Sequence, residues 1–271
     1  MREVLLPVVA LLLCAPAAPA ATSFSTETHE AADAAGQRHR ARLIADGSRL
    51  RLDLDPGSSV IFRADRGVLW LLDHEQRTYL EIEEGSARAL AQRLHAANAE
   101  MRTRLQTLPE QPRSQTERLL DGVLGPEKPS PPEVGVRATG QREQVAGIAC
   151  EGFEVTRNGE KVADVCRASF AEAGVPRERL AAVRQMAAFL RESAAALAPE
   201  SLRRGGLEAL SSFPQLDGVP LRVRAYRNGH LQMETRVTRV EERPARDEDF
   251  ELPASYGLSI RIHVRQVATT P

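Results

Sequence analysis

Hydrophobic and polar residues alternate with a period of two from residue 23 to residue 83, the spacing of strands with one wet face. His39, Ala41, Leu43 and Ala45 interleave with arginines, Asp46-Gly47 turns the chain, and Leu50, Leu52 and Leu54 then interleave with Arg49, Arg51 and Asp53. Gly57-Ser58-Ser59 and Asp65-Arg66-Gly67 separate the further short runs 60–64 and 68–73, and 78–83 closes the meander. The run Val68-Leu-Trp-Leu-Leu72 is apolar on both sides, so this part of the sheet is expected to be covered on both faces.

The period then becomes helical. Ser86 is a candidate N-cap, and Leu90, Leu94, Ala97, Met101, Leu105 and Leu108 recur at steps of three and four until Pro109. Residues 109–132, rich in Pro, Gln, Ser and Glu, read as an excursion before the β pattern resumes near Val134. A second helix is expected from Pro176, with the stripe Leu180, Val183, Ala187, Leu190, Ala194 and Leu197, ending at Pro199. Residues 219–227 and 230–242 flank Asn228-Gly229 as a hairpin, and 258–264 offers a last strand.

Each β block has an apolar face that something must bury, and the two striped helices are the available covers. The expected architecture is α+β: a curved antiparallel sheet, an incomplete β-barrel, with helices on its concave face. One half-barrel domain is expected over 22–271, with excursions at about 86–133 and 171–216. A flat two-layer α+β sandwich fits the same pattern.

The first 21 residues read as a removable signal peptide: Arg2 is basic, 4–13 is an apolar stretch with one proline, and 15–21 offers small residues for cleavage after Ala20 or Ala21. Ten apolar residues fall short of the roughly 20 a spanning helix needs, and no later segment approaches that length. Anchoring as a lipoprotein through Cys14 is disfavoured, because Leu13 precedes it. The expected compartment is the periplasm.

Removal of the signal leaves Cys150 and Cys166, a disulfide by default in an oxidising compartment. The intervening residues form two alternating runs around Asn158-Gly159, a hairpin signal. A two-residue turn pairs Arg157 with Glu160 and, counted outward, puts the cysteines on opposite faces. A three-residue loop of Arg157, Asn158 and Gly159 brings Cys150 opposite Cys166, so that loop is predicted. No Cys-x-x-Cys spacing and no helix N-terminus supports a redox-active pair.

The aspartate-glycine hairpin in the first meander, Val145-Ala-Gly-Ile-Ala-Cys-Glu-Gly-Phe-Glu-Val155, the second cysteine in Asp164-Val-Cys-Arg-Ala168, Asp217-Gly-Val-Pro-Leu-Arg222 and Asp249-Phe-Glu-Leu-Pro-Ala-Ser-Tyr256 carry a resemblance. They resemble the bacterial domain-of-unknown-function family 4412, which is similar in layout to the LolA/LolB type of periplasmic half-barrel. The resemblance implies that fold and that compartment. Residues 109–132 and the long second helix exceed the minimal pattern, which leaves the openness of any cavity undecided.

Composition narrows the function classes. Lys+Arg of 36 against Asp+Glu of 37 gives a net charge of -1, with no basic excess for nucleic acid. Aromatics are 4%, with Trp70 the sole tryptophan, so stacking platforms are scarce. No G-x-S-x-G, Walker loop, H-E-x-x-H or dinucleotide fingerprint occurs, and the six histidines lack metal-ligand spacing. Asp73-His74-Glu75 reads as a solvated turn, and His95 as a helix-surface histidine. No catalytic residue, cofactor or metal is expected.

The expectation is a non-enzymatic periplasmic binding protein, a carrier or chaperone for a lipid or hydrophobic protein client. Leu43, Trp70, Leu72, Leu94, Met101, Phe189 and Leu190 are the candidate cavity lining. Read structurally, the same residues are simply core. The alternative is an envelope sensor or interaction protein with no small-molecule ligand, docking through 109–132. Oligomeric state is not legible.

Overall fold

The structure, a computed structural model, describes residues 20–31, 38–54, 57–106, 133–190 and 217–262. The strands are β1 (Ala20–Glu30), β2 (Arg38–Ala45), β3 (Arg49–Leu54), β4 (Ser58–Arg63), β5 (Val68–Asp73), β6 (Thr78–Glu83), β7 (Val134–Val145), β8 (Ile148–Arg157), β9 (Glu160–Ala168), β10 (Val219–Arg227), β11 (His230–Pro244) and β12 (Gly257–Ile262). The helices are α1 (Glu84–Leu105) and α2 (Ala181–Phe189), the latter preceded by a 3-10 turn at Arg177–Leu180. Residues 1–19 of the expected leader, the 109–132 excursion and the Ala194 and Leu197 end of the second stripe lie outside the described residues, while Ala20 and Ala21 begin β1.

All twelve strands form one open sheet in the order β12-β6-β5-β4-β3-β2-β1-β11-β10-β9-β8-β7. The first meander and the second β block meet along β1 and β11, so each supplies the other with a neighbour. In the meander the period-two pattern turns directly into two apolar rows. Ala45, Leu50, Phe62, Leu69 and Ile82 face one another across five strands, and Leu43, Leu52, Val60, Leu71 and Leu80 form the next row on the same face.

Leu180, Val183, Met186, Phe189 and Leu190 join these rows in one core, with Phe62 and Phe189 rings 5.7 Å apart. Each such side chain contributes on the order of 2 kcal/mol by leaving water. For α1 the packing is different. It follows β6 without a break and starts at Glu84, two residues before the expected cap at Ser86, because the Glu84 N–H already has a carbonyl partner in Gly67 at 2.8 Å. Met101 on α1 stays 46% exposed.

The opposite face of the meander carries Ile61, Val68, Trp70 and Leu72, all buried as the two-sided apolar run requires. Its cover is the segment 245–256, contrary to the expectation that helices are the covers. Phe250 of this strap is fully buried against Ala21 and Ile44, and Leu252 and Tyr256 pack on Ile61 and its neighbours. Arginines of β3 and β4 lace the strap down. Arg49 pairs with Asp247 at 2.6 Å and lies 4.6 Å over the Phe250 ring, while Arg63 donates to Glu251. Having crossed the sheet, the chain adds β12 beside β6 in parallel, so the sheet is not antiparallel throughout.

The β7–β11 end is strongly coiled. Four inter-strand steps would separate β7 from β11 by about 19 Å in a flat sheet. Arg236 of β11 nevertheless donates to the Gln144 carbonyl of β7 at 3.4 Å, which requires the sheet to roll. An open, rolled, mostly antiparallel sheet is an incomplete barrel.

The roll encloses the Cys150–Cys166 disulfide, whose Cα atoms are 5.4 Å apart. The predicted three-residue loop is not how the bond forms. Asn158 and Gly159, with φ of 51° and 81°, make a two-residue turn that pairs Arg157 with Glu160. A bulge then leaves Val162 unpaired, shifts the register by one and sets Cys166 opposite Gly152. That shift returns both cysteines to one face, two residues apart on the diagonal. Gly152 offers no side chain to block the approach.

Candidate functional site

The seven candidate lining residues do not share one cavity. Leu43, Phe189 and Leu190 belong to the core beneath α2. Trp70 and Leu72 belong to the separate cluster beneath the strap, on the other face of the sheet. Alternation of side chains along β5 makes this division unavoidable. Met101 is on the surface, and the Leu94 side chain is outside the described residues.

His74 is more engaged than a solvated turn residue. Its Nε2 lies 2.6 Å from Ser59 Oγ and its Nδ1 2.6 Å from the Tyr256 hydroxyl. Ser59 also bonds Asp53 Oδ1 at 2.6 Å, where Arg51 Nε donates at the same distance. A hydroxyl has one hydrogen, and an ionised carboxylate only accepts, so the Ser59 proton goes to Asp53 and Ser59 accepts from His74 Nε2–H. In the tautomer with hydrogen on Nε2, Nδ1 accepts from the Tyr256 hydroxyl. With Ser59 1% exposed and its proton already committed, this set ties the strap to the sheet; it is not a nucleophile–base pair. No local pattern signals this set, because its members lie on β3, β4, a turn and the strap.

Two open clefts are formed by described residues. One, of about 600 Å³, lies where β5 and β6 meet α1 and is lined by Arg66, Trp70, Glu81, Glu83 and Glu84. Trp70 Nε1 donates to Glu81 there at 3.0 Å, which satisfies the indole and leaves its ring buried.

The other cleft, of about 370 Å³, spans β11, β1, β2 and β3 and is lined by Ser25, Glu27, Arg40, Arg42, Asp53 and Thr238 among others. Its builder is the alternation on β2, which sends Arg38, Arg40 and Arg42 to one side. A register shift in β11 leaves Thr238 unpaired at the cleft. Arg40 donates through Nε to Glu27 at 3.3 Å, and Arg42 through Nε to Ser23 at 3.0 Å. Asp53 is held by Arg51 and Ser59, so both lining carboxylates are already paired. Polar walls and an open mouth suit a charged group better than an acyl chain.

No protein-family model matches the chain, and no curated protein sequence does. Among solved structures, the Pseudomonas aeruginosa MucA/MucB complex aligns with a TM-score of 0.39 at 12% identity, over 87% of this chain and 56% of that one. MucB alone aligns with a TM-score of 0.38 at 12% identity, over 87% of this chain and 58% of that one. A LolA superfamily protein from Nitrosomonas europaea gives 0.25 at 9% identity, over 87% and 91%. The chain thus spans a little over half the length of the MucB chains it is similar to.

Proposed function

We propose that this is a non-enzymatic binding protein of the cell envelope that acts through the surface of its rolled sheet, with its hollow filled. The observation that carries this reading is the division of the candidate lining between two packed cores. α2 occupies the trough where a hydrophobic guest would lie, and Met186 and Phe189 there are at most 4% exposed. Carriage of a lipid or hydrophobic client would first have to lift α2 from β3 and β4, exposing both apolar rows to water at about 25 cal/mol per Å². An interaction role needs no such step, and it keeps the exported, disulfide-tied scaffold rigid.

Native mass spectrometry of protein from an envelope fraction tests the choice. Protein at its polypeptide mass supports surface binding. A stoichiometric acyl-lipid surplus that persists when α2 is intact would overturn it. Leu190→Asp gives a second readout: it buries a carboxylate without a partner and is expected to unfold the protein. A folded variant that merely loses a bound mass would return the carrier reading.

A further inference from the structure

The central strands carry a charge pattern that folding does not require. Register sets Arg42 beside Ser25 and Arg239, Arg40 beside Glu27 and Arg236, and Arg38 beside His29 and Glu234. Arg38, Arg40 and Arg239 are 61%, 72% and 72% exposed, so none is there for packing. These arginines outnumber Glu27, Glu234 and the adjacent Glu241 on a chain whose net charge is -1. The 370 Å³ cleft opens in the middle of this grid.

We propose that the cleft binds the phosphate ester of a small polyol, either free or as the headgroup of an anionic phospholipid. Arg40 and Arg42 stand about 7 Å apart on one strand face, two residues apart. Their internal contacts use Nε, and among the described residues the Arg40 Nη nitrogens meet no protein acceptor, while Arg42 Nη2 is 3.9 Å from Glu241. Ser25 adds a hydroxyl from the flanking strand, while the Thr238 hydroxyl is spent on the Ser25 carbonyl at 3.2 Å. Donors offered side by side from two adjacent strands suit the non-coplanar oxygens of a phosphate, whereas a carboxylate is saturated by one planar fork.

The lining carboxylates select the rest of the ligand. Each offers about four acceptor sites, and their arginine and serine partners do not fill them. Asp53 and Glu27 are thus acceptors for hydroxyls close to the phosphate, which a polyol ester has and inorganic phosphate lacks. The volume lies at the lower end of the roughly 300–1,000 Å³ of small-molecule sites, enough for a headgroup and too little for its acyl chains.

This inference rests on the reading above only in taking the protein to act by binding. The test titrates the full mature chain calorimetrically with glycerol 3-phosphate, and separately cosediments it with phosphatidylcholine vesicles with and without phosphatidylglycerol. The double variant Arg40→Gln/Arg42→Gln is expected to weaken either interaction at least about tenfold, the effect of losing one charge-assisted contact. It should melt as the parent does, because exposed ion pairs add little stability. Arg137→Gln, at an arginine 71% exposed on β7, should change nothing.

Saturable binding of glycerol 3-phosphate with no added vesicle affinity assigns a soluble ligand. Binding to phosphatidylglycerol vesicles alone assigns a lipid headgroup. Absence of both, no loss in the double variant, or an equal loss in Arg137→Gln overturns the proposal while leaving the filled core untouched. A lipid mass surplus abolished by the double variant belongs to this cleft; one that survives it belongs to the hollow and overturns the earlier reading instead.

Discussion

Phe250→Ala removes the fully buried aromatic anchor of the strap. Phe250 is fully buried against Ala21 and Ile44, and the Arg49 guanidinium sits 4.6 Å above its ring. Deleting a buried phenylalanine side chain costs about 3–5 kcal/mol, and the lost cation–π contact adds about 0.5–1 kcal/mol. Arg49 keeps Asp46 at 2.5 Å and is not left as an unpaired buried charge, so the sum stays near 4 kcal/mol. For a domain of this size that is a fall in Tm on the order of 8–16 °C. The measurement is urea unfolding, paired with hydrogen exchange resolved to single amides. The Gly257 amide, bonded to the Arg77 carbonyl at 2.9 Å, and the rest of β12 should lose protection, because the strap is what holds that parallel strand in place. Amides of β8 and β9 should not change beyond the global shift. A loss under about 1 kcal/mol, or unchanged protection in β12, would refute the claim that the strap is an integral second cover.

Further outcomes follow from other parts of the structure. Replacing both Cys150 and Cys166 by alanine should cost about 3 kcal/mol by the chain-entropy relation for so short a loop, read as a lower urea midpoint; no change would show that the bulged hairpin needs no staple. Deleting Val162 removes the bulge but leaves Cys166 opposite Gly152, so both thiols should stay on one face and mass analysis should still find them bonded; free thiols would show that the bulge itself positions them. The guanidinium of Arg63 donates to Asp65 and holds its carboxyl below the usual carboxylate range. That contribution is complete above the unfolded value of about 3.9 and is lost as pH falls through the lower folded value, so Asp65→Asn should lower stability at neutral pH and flatten its decline below about pH 4, where the two proteins converge. Ala21 is fully buried, so removal of the proposed leader should leave it in place, with cleavage after Ala20; intact mass of protein expressed with its leader and recovered from the envelope decides between the two sites.

Much of the meander was legible. The strands expected over residues 60–64, 68–73 and 78–83 fall within a residue or two of β4, β5 and β6, because alternation and turn residues act locally. The need for two covers over 68–72 was equally readable. The nature of the second cover was not, since 245–256 has no helical stripe and its packed residues contact partners roughly 180 to 230 positions away. The cysteine pair was anticipated, yet the route to it was miscounted: a bulge at Val162 is a sheet-level adjustment with no glycine at that position to signal it. As for the sites, an apolar residue reads alike whether it lines a void or fills one. The arginine grid was invisible for another reason, since β1 and β11 become neighbours only in the fold.

Sequence alone determined the periodicities, the turns, the two thiols flanking one hairpin and the absence of familiar catalytic motifs, all of which depend on neighbours a few residues apart. Tertiary structure decided which face each apolar row met, how residues 245–262 close on the sheet, and that Arg40, Arg42 and Thr238 surround one cleft. Those outcomes are set by pairing between segments distant in sequence, where a shift of one residue moves every side chain to the other face.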